Sequence, residues 1–184
     1  MPGSSPGRGI LFTTSRAPSP RTRSLTKDLA AVIPGGFRVT RGHLTMEELA
    51  AIARIRGADR VTIIGERRGN PSILRVYEAA RPPLRPSLRN IVTLIIRGVA
   101  LSRERGARPL RGGALYVEVA EGVEEYGEAL IRAWHARLAA NTQPRVRAVI
   151  KPDTGGAIID FQTRDGRPAG PRLRVAKPRV MIKD

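Results

Sequence analysis

A β-hairpin that recurs once at a constant offset constrains the fold of this 184-residue chain more than any other feature. The first hairpin is predicted over 61–66 and 72–78, and the second over 146–151 and 157–163, with the apolar–polar alternation of half-buried strands. The offset of 85 residues aligns Val61 with Val146, Ile64 with Val149, Ile73 with Ile158, Leu74 with Ile159 and Val76 with Phe161. A helical pattern precedes both hairpins after a short break, so these two helices are expected to match as well. We therefore predict an internal duplication in an α/β fold; the alternative is a chance match between two alternating patterns.

The chain enters its first helix through a corner rich in hydroxyls, prolines and arginines. Residues 10–14 form a predicted buried strand, and Ser19 followed by Pro20 is the preferred pairing for the N-cap and first residue of a helix. The free N–H groups and the dipole at a helix start favour an anion, so this corner predicts contact with phosphate. In the alternative interpretation, Ser19 only caps the helix and the arginines are solvated. The apolar positions of this helix are Leu25, Leu29, Val32 and Ile33.

Two further helices are predicted from caps and apolar periodicity. The second starts at Thr45, where Glu48 completes a capping box. The third is expected over about 122–139, where the spacing of Trp134 and Leu138 places both side chains on its buried face.

Four segments interrupt the pattern of helices and strands. Residues 1–9, rich in Gly, Ser and Pro, are predicted to be a disordered leader, and the three prolines of 81–89 predict a linker. Residues 97–113 contain five arginines and four glycines, which predicts a mobile basic loop. Residues 164–184 are a basic tail that either adds edge strands or becomes ordered on RNA.

The chain carries 33 Lys and Arg residues against 16 Asp and Glu residues, a formal net charge of +17. A field of that sign attracts nucleic acid or an anionic membrane. The apolar runs are far shorter than the roughly 20 residues that span a bilayer, which favours nucleic acid. The chain has no cysteine and only two histidines, and it contains no Gly-rich phosphate loop. We therefore expect no catalytic residue, no metal site and no cofactor.

Five short motifs are informative in their residue types and spacing. They are Thr13-Thr14-Ser15-Arg16-x-Pro18-Ser19-x-Arg21-x-Arg23, Asp28-Leu29, Ile33-Pro34, Arg41-Gly42 and Glu66-x-x-Gly69-Asn70-Pro71. Together they resemble motifs of the Brix-domain ribosome-biogenesis proteins. The likeness is to the short archaeal form, which is related to the eukaryotic Brix subunit of a small nucleolar ribonucleoprotein, and it covers about residues 10–163. The resemblance implies two similar α/β halves with pseudo-twofold symmetry, 10–80 and 90–163, joined by the linker 81–89. Each half would resemble the anticodon-binding domain of class II aminoacyl-tRNA synthetases.

Candidate RNA-binding residues lie at the helix corner, ahead of the second helix and at the tip of the first hairpin. Hydroxyls there would donate hydrogen bonds to phosphate oxygens, and cationic side chains would neutralise charge. The alternative for the hairpin tip is that Gly69 and Asn70 supply the backbone geometry of the turn. The assignment of Arg41 rests mainly on the resemblance. The candidates are Thr14, Ser15, Arg16, Ser19, Arg21, Arg23, Lys27, Arg41, Arg67, Arg68 and Asn70.

The resemblance and the charge together predict an rRNA-binding ribosome biogenesis factor that is not an enzyme. It would act in pre-rRNA processing and small-subunit assembly, by recognising the phosphate backbone and the shape of RNA and by annealing strands. The expected partners are pre-rRNA or rRNA and other ribosome assembly proteins, with no membrane and no small-molecule substrate, and the expected location is cytoplasmic. Two alternatives stay open, a tRNA-binding module and a structural ribosomal protein.

Overall fold

Eleven strands build one mixed sheet in the computed structural model of the protein, which describes residues 8–181. The helices are α1 (Pro20–Val32), α2 (Met46–Ile55) and α3 (Glu124–Trp134), and a short 3₁₀ helix spans Ser102–Arg105. The strands are β1 (Gly9–Thr14), β2 (Gly36–Arg38), β3 (Ala58–Arg67), β4 (Asn70–Ala79), β5 (Leu88–Ala100), β6 (Tyr116–Val119), β7 (Arg137–Leu138), β8 (Val146–Asp153), β9 (Gly156–Thr163), β10 (Pro168–Val175) and β11 (Arg179–Val180).

The strands pair in the order β2-β1-β3-β4-β5-β10-β9-β8-β6-β7, and β11 also pairs with β5. β1 lies parallel between β2 and β3, whereas β3, β4 and β5 are antiparallel neighbours. In the same way β6 lies parallel between β7 and β8, and β8, β9 and β10 are antiparallel. The antiparallel pair of β5 with β10 joins the two sets. The pairing pattern of the first five strands therefore recurs in the next five.

The helices also recur between the two sets of strands, but the helices that correspond are not the ones that the alignment of the hairpins predicts. α1 connects β1 to β2, and α3 connects β6 to β7, so these two helices occupy corresponding places. α2 connects β2 to β3, whereas residues 139–145, between β7 and β8, form no helix. The expected match of α2 with α3, each the helix ahead of a hairpin, is therefore wrong.

Both predicted hairpins are present, but their alignment needs one correction. The second strands of the two hairpins, β4 and β9, align at the predicted offset of 85 residues. The first strands, β3 and β8, align at an offset that is one residue larger, so that Ile64 corresponds to Ile150 rather than to Val149. The same shift displaces the match of Val61 with Val146. The cause is a register shift in the first hairpin, where Ser72 has no partner across the ladder.

One continuous core lies between the sheet and the two helices α1 and α3. Phe12, Trp134 and Phe161 are its largest buried side chains, and Leu11 points to a smaller cluster under α2 on the opposite face. The Trp134 indole Nε1 donates a hydrogen bond to Thr62 Oγ1 at 3.0 Å, and its ring centroid lies 6.1 Å from that of Phe12. α3 is thus anchored on strands of the first set.

The first two helices begin as predicted. Ser19 caps α1, since its hydroxyl accepts a hydrogen bond from the Thr22 N–H at 3.2 Å. Thr45 caps α2 through a reciprocal capping box with Glu48. The stripe of α1 is fully buried at Leu25, Leu29, Val32 and Ile33.

The third helix is shorter than predicted. It ends at Trp134 because His135 takes a left-handed backbone conformation with φ of 55°. The chain then forms β7, parallel to β6, and Leu138 is 61% exposed rather than buried. The expected burial of Leu138 is therefore wrong.

The expectation of a mobile basic loop over 97–113 is also wrong for much of that segment. Its first residues complete β5, and the 3₁₀ helix follows. Arg105 pairs with the carboxylate of Asp160 at 2.6 Å and donates to the Gly170 carbonyl at 2.8 Å. Arg111 donates to backbone carbonyls, including that of Gly36 at 2.8 Å. These two arginines therefore hold the segment against the sheet and against the end of α1.

The remaining predicted segments fall as follows. Of the predicted leader 1–9, residues 1–7 lie outside the described residues, and Gly9 begins β1. The segment 81–89 forms the loop from β4 to β5 and the first residues of β5. The tail 164–184 contributes β10 and β11, and its residues 182–184 are not described. Within residues 8–181, no helix combines the length and the apolar character needed to cross a bilayer.

Candidate nucleic-acid interface

The corner between β1 and α1 is built on the parallel pair of β1 and β3. Ser15 donates its backbone N–H to the Ile64 carbonyl at 2.9 Å, which holds the chain beside β3 before it turns into α1. Further along β3, the Glu66 carboxylate accepts hydrogen bonds from the Ser19 N–H at 2.8 Å and from the Thr22 hydroxyl at 2.6 Å. Those two donors lower the pKa of Glu66, the Thr22 hydroxyl most. The start of α1 therefore already holds an anion, which is a side chain of the protein itself.

The sequence pattern predicts an external phosphate at this position, whereas the structure places the carboxylate of Glu66 there. The signal was present, since Glu66 belongs to one of the matching motifs and directly precedes the hairpin tip. What periodicity could not show is that β1 and β3 are neighbours, which brings Glu66 to the helix start.

Two of the candidate cations lie apart from the corner. Arg21 is paired with Glu104 of the 3₁₀ helix and donates to the Val99 carbonyl at 2.8 Å. The hydrogen bond that Arg21 donates to the Glu104 carboxylate raises the pKa of Arg21. Lys27 is exposed and borders a separate recess together with Arg103 and Arg108. Arg21 therefore has a structural partner, and Lys27 belongs to a different surface.

Three other arginines surround a recess between α1 and the loop that follows β2. We call this recess the arginine pocket; it measures about 350 Å³ and its lining includes no Asp or Glu residue. Arg23 contributes from α1, Arg38 from β2 and Arg41 from the loop. The other residues that line the arginine pocket are Thr14, Ala17, Pro18, Thr26, Val39, Thr40, Gly42 and His43.

The cations of the arginine pocket bind carbonyl groups rather than carboxylates. Arg23 donates to the Pro18 carbonyl at 3.3 Å, and Arg41 donates to the Leu44 carbonyl at 2.7 Å. Arg16, at the edge, approaches the His43 carbonyl at 3.5 Å. Burial lowers the pKa of Arg41, and the nearby charge of Arg16 lowers it further. None of these three arginines, and not Arg38 either, forms an ion pair with a carboxylate among residues 8–181.

The tip of the first hairpin is a second cationic surface beside the arginine pocket. Arg68 and Gly69 both have positive φ, 51° and 76°, as a tight two-residue turn between twisted strands requires. Arg67, Arg68 and Asn70 are all exposed, and the Asn70 amide donates to the Arg68 carbonyl at 3.3 Å. Because Glu66 binds the start of α1, this tip is anchored beside the corner.

The structure therefore brings together most of the candidates and adds one. Thr14, Arg23 and Arg41 line the arginine pocket, Arg16 lies at its edge, and Ser15 and Ser19 belong to the corner backbone. Arg38 was missed, because a three-residue strand carries no periodic signal that shows which way its side chains point. No group of acidic or histidine side chains that could hold a metal ion occurs in the described part of the chain.

Comparisons with curated proteins give a consistent result, although no family model matches the chain. The "Probable Brix domain-containing ribosomal biogenesis protein" of Aeropyrum pernix is 52% identical over 179 residues, which cover 94% of this chain and 97% of that protein. The protein of the same name from Pyrococcus abyssi is 38% identical over 188 residues, covering 90% of this chain and 82% of the relative.

Solved structures show the same likeness. The crystal structure of a probable ribosomal biogenesis protein from Aeropyrum pernix K1 matches with a TM-score of 0.83 at 50% identity, covering 96% of this chain and all of the other. The crystal structure of Mil, an archaeal Imp4-like protein, matches with a TM-score of 0.73 at 23% identity, covering 94% and 99% of the two chains. The second match shows a shared fold.

Proposed function

This chain belongs to the Brix-domain family of ribosomal biogenesis proteins, and we propose that it acts there as an rRNA-binding assembly factor without catalytic activity. Its proposed place is pre-rRNA processing and small-subunit assembly. The observation that carries the proposal is the arginine pocket, where three arginines converge and no Asp or Glu residue belongs to the lining. Their recorded hydrogen bonds go to backbone carbonyls, and no ion pair to a carboxylate engages them among residues 8–181. Their charge is therefore available to phosphate, the anion that Arg binds with two parallel hydrogen bonds.

The proposed contact uses the arginine pocket and the hairpin tip together. Both flank the corner that Glu66 stabilises, so phosphates of one RNA segment can bind at both surfaces. Neutralising phosphates lowers the repulsion between RNA strands, which supports an annealing role in assembly. Arg21 is left out of the proposed contact because Glu104 already binds it.

We also propose that the two sets of strands are the two similar halves, related by pseudo-twofold symmetry, that the resemblance implies. The recurrence of the pairing pattern, with α1 and α3 in corresponding places, supports this arrangement. The likeness of each half to a synthetase anticodon-binding domain stays a prediction.

RNA crosslinking in cells, followed by sequencing of the bound RNA, tests the function. We expect enrichment of rRNA precursor, and we expect Arg16→Gln with Arg23→Gln to reduce the crosslinks strongly. The matched control is Arg137→Gln with Arg145→Gln, which removes the same charge from exposed residues in β7 and just before β8. Equal crosslinking by both double variants would refute the proposed contact.

Two measurements on the same cells distinguish the alternative functions, a tRNA-binding module and a structural ribosomal protein. Enrichment of tRNA instead of rRNA would favour a tRNA-binding module. Sedimentation in a sucrose gradient with mature subunits, rather than with precursors, would favour a structural ribosomal protein.

A further inference from the structure

We infer that the arginine pocket takes one unstacked nucleotide from a single-stranded segment of RNA. This inference rests on the proposed RNA binding and adds the class of RNA that the site selects. A duplex presents its backbone as a convex surface, which a flat basic patch can bind. A recess between a helix and a loop is suited instead to a group that enters it.

The size and lining of the recess fit a single nucleotide. Its volume of about 350 Å³ lies at the lower end of the range of about 300–1,000 Å³ that is usual for small-ligand sites. Pro18 and Val39 offer apolar surface for the face of a base. Thr14 and Thr40 add hydroxyls that can hydrogen-bond to a base edge or to the ribose 2′-OH.

Three arginines of the recess are placed to bind the phosphate of the nucleotide and to stack on its base. Arg23, Arg38 and Arg41 come from three different segments, so their guanidinium groups approach the recess from different directions. Guanidinium groups bind phosphate with two hydrogen bonds and also stack on bases through their planar faces. A nucleotide supplies both a phosphate and a base.

The backbone around the recess is strained at one residue. Ala17 has φ of 50° directly before Pro18, although a residue before proline is driven towards extended conformations. Left-handed backbone at non-glycine residues persists only where its surroundings fix it, and it is concentrated at ligand sites. The strain at Ala17 is a second feature of the recess, independent of charge.

The test uses a short single-stranded RNA with one 2-aminopurine, whose fluorescence rises when the base leaves the stack. We expect a rise on binding. We also expect the same RNA in a duplex to bind at least roughly tenfold more weakly, because the base must first be unpaired and unstacked. Thr40→Leu fills the recess from an exposed position without changing charge and should abolish the rise. The control Thr142→Leu changes an exposed threonine beyond β7, at the other end of the sheet, and should keep it.

A second variant provides an independent test of the recess. Arg38→Gln should weaken binding of the single strand, whereas Arg137→Gln, on the edge strand β7 at the opposite end of the sheet, should change it far less. Adenosine monophosphate as a separate probe should bind much more weakly than the RNA, because the flanking phosphates add contacts.

The outcomes separate this inference from the proposed function. RNA binding without a fluorescence rise, or equal binding of duplex and single strand, would overturn the nucleotide site and leave rRNA binding intact. Adenosine monophosphate binding as tightly as the RNA would also overturn it, in favour of a site for a free nucleotide. If the unmodified protein bound no RNA at all, both the nucleotide site and the proposed rRNA binding would be overturned.

Discussion

Glu66 shows how one carboxylate can determine what a helix start is able to bind. Four N–H groups at the start of an α-helix have no partner within the helix, and this positive end ordinarily attracts an anion. In this protein Glu66 accepts hydrogen bonds from the Ser19 N–H and the Thr22 hydroxyl. It therefore stabilises α1 and fixes the hairpin tip at the same time. Binding of an external anion is left to the neighbouring arginine pocket.

Removal of this carboxylate should destabilise the fold. We expect Glu66→Ala to lower the free energy of unfolding by about 1–3 kcal/mol, because hydrogen bonds to a charged group are lost and the Ser19 N–H is left without its partner. Denaturant unfolding measures the change. Glu128→Ala is the control, since Glu128 is exposed on α3, and it should change stability by less than about 0.5 kcal/mol. Equal effects of both variants would contradict the role of Glu66.

The contribution of Glu66 to the free energy of unfolding should also depend on pH. Its folded-state pKa lies below its ordinary value, because the Thr22 hydroxyl and the Ser19 N–H bind the charged form. Its stabilisation is therefore fully present above the unfolded-state pKa of about 4.5 and is lost as pH falls through the lower folded-state pKa. We expect stability measured against pH to fall less steeply on the acid side for Glu66→Ala than for the unchanged protein. Parallel curves would contradict this.

At the scale of elements, the 3₁₀ helix Ser102–Arg105 connects α1 to the second set of strands. The Ser102 N–H donates to the Asp28 carboxylate of α1 at 2.7 Å. Arg105 reaches the other way, to Asp160 of β9 at 2.6 Å, with both side chains largely buried. This short helix therefore fixes the end of β5 against α1 and β9.

Truncation of Arg105 should be costly because it leaves the Asp160 carboxylate buried without its counter-charge. We expect Arg105→Ala to lower the free energy of unfolding by about 3–5 kcal/mol. Arg103→Ala, at an exposed position of the same 3₁₀ helix, should have an effect within about 0.5 kcal/mol. Thermal and denaturant unfolding measure both. A smaller loss in Arg105→Ala with Asp160→Ala than in Arg105→Ala alone would confirm that the unpaired charge is the cause, and an equal or larger loss would contradict it.

Local sequence signals predicted the helix starts correctly. Caps at Ser19 and Thr45 fixed the starts of α1 and α2, because a cap depends only on residues within one turn. The end of α3 was missed, since the spacing of Trp134 and Leu138 continues a helical period through His135, which leaves the helix. The register shift at Ser72 was missed because pairing across a ladder is not visible in one strand. Nonlocal pairing also explains why Glu66 and Arg38 were absent from the predicted site.

At the scale of the whole molecule, the two sets of strands share one sheet and one core. β5 pairs with β4 on one side and with β10 on the other, and Trp134 of α3 contacts Phe12 and Thr62 of the first set. Neither set can lose its fold without exposing apolar surface of the other. The sequence predicted the repeated pattern, but it carried no local signal that the repeats share a continuous sheet.

This shared core predicts a single unfolding transition. Trp134 is the only tryptophan of the chain and reports directly on the contact between the two sets of strands. We expect its fluorescence and the far-ultraviolet circular dichroism to change with the same denaturant midpoint, the criterion for two-state unfolding. An earlier fluorescence transition would contradict the prediction, because it would mean that the sets separate before their secondary structure is lost.

The distribution of charge over the molecule predicts how RNA binding responds to salt. The net charge of +17 attracts RNA at long range, but only cations that contact phosphates release bound counterions and set the salt slope. We expect Arg16→Gln with Arg23→Gln to reduce the slope of log affinity against log salt by roughly 0.7–0.9 for each lost contact. Arg137→Gln with Arg145→Gln lowers the net charge equally and should leave the slope nearly unchanged. Filter binding of a small-subunit rRNA fragment over a salt series measures both slopes. If both double variants reduced the slope equally, affinity would depend on total charge, and the arginine pocket would lose its assigned role in binding phosphate.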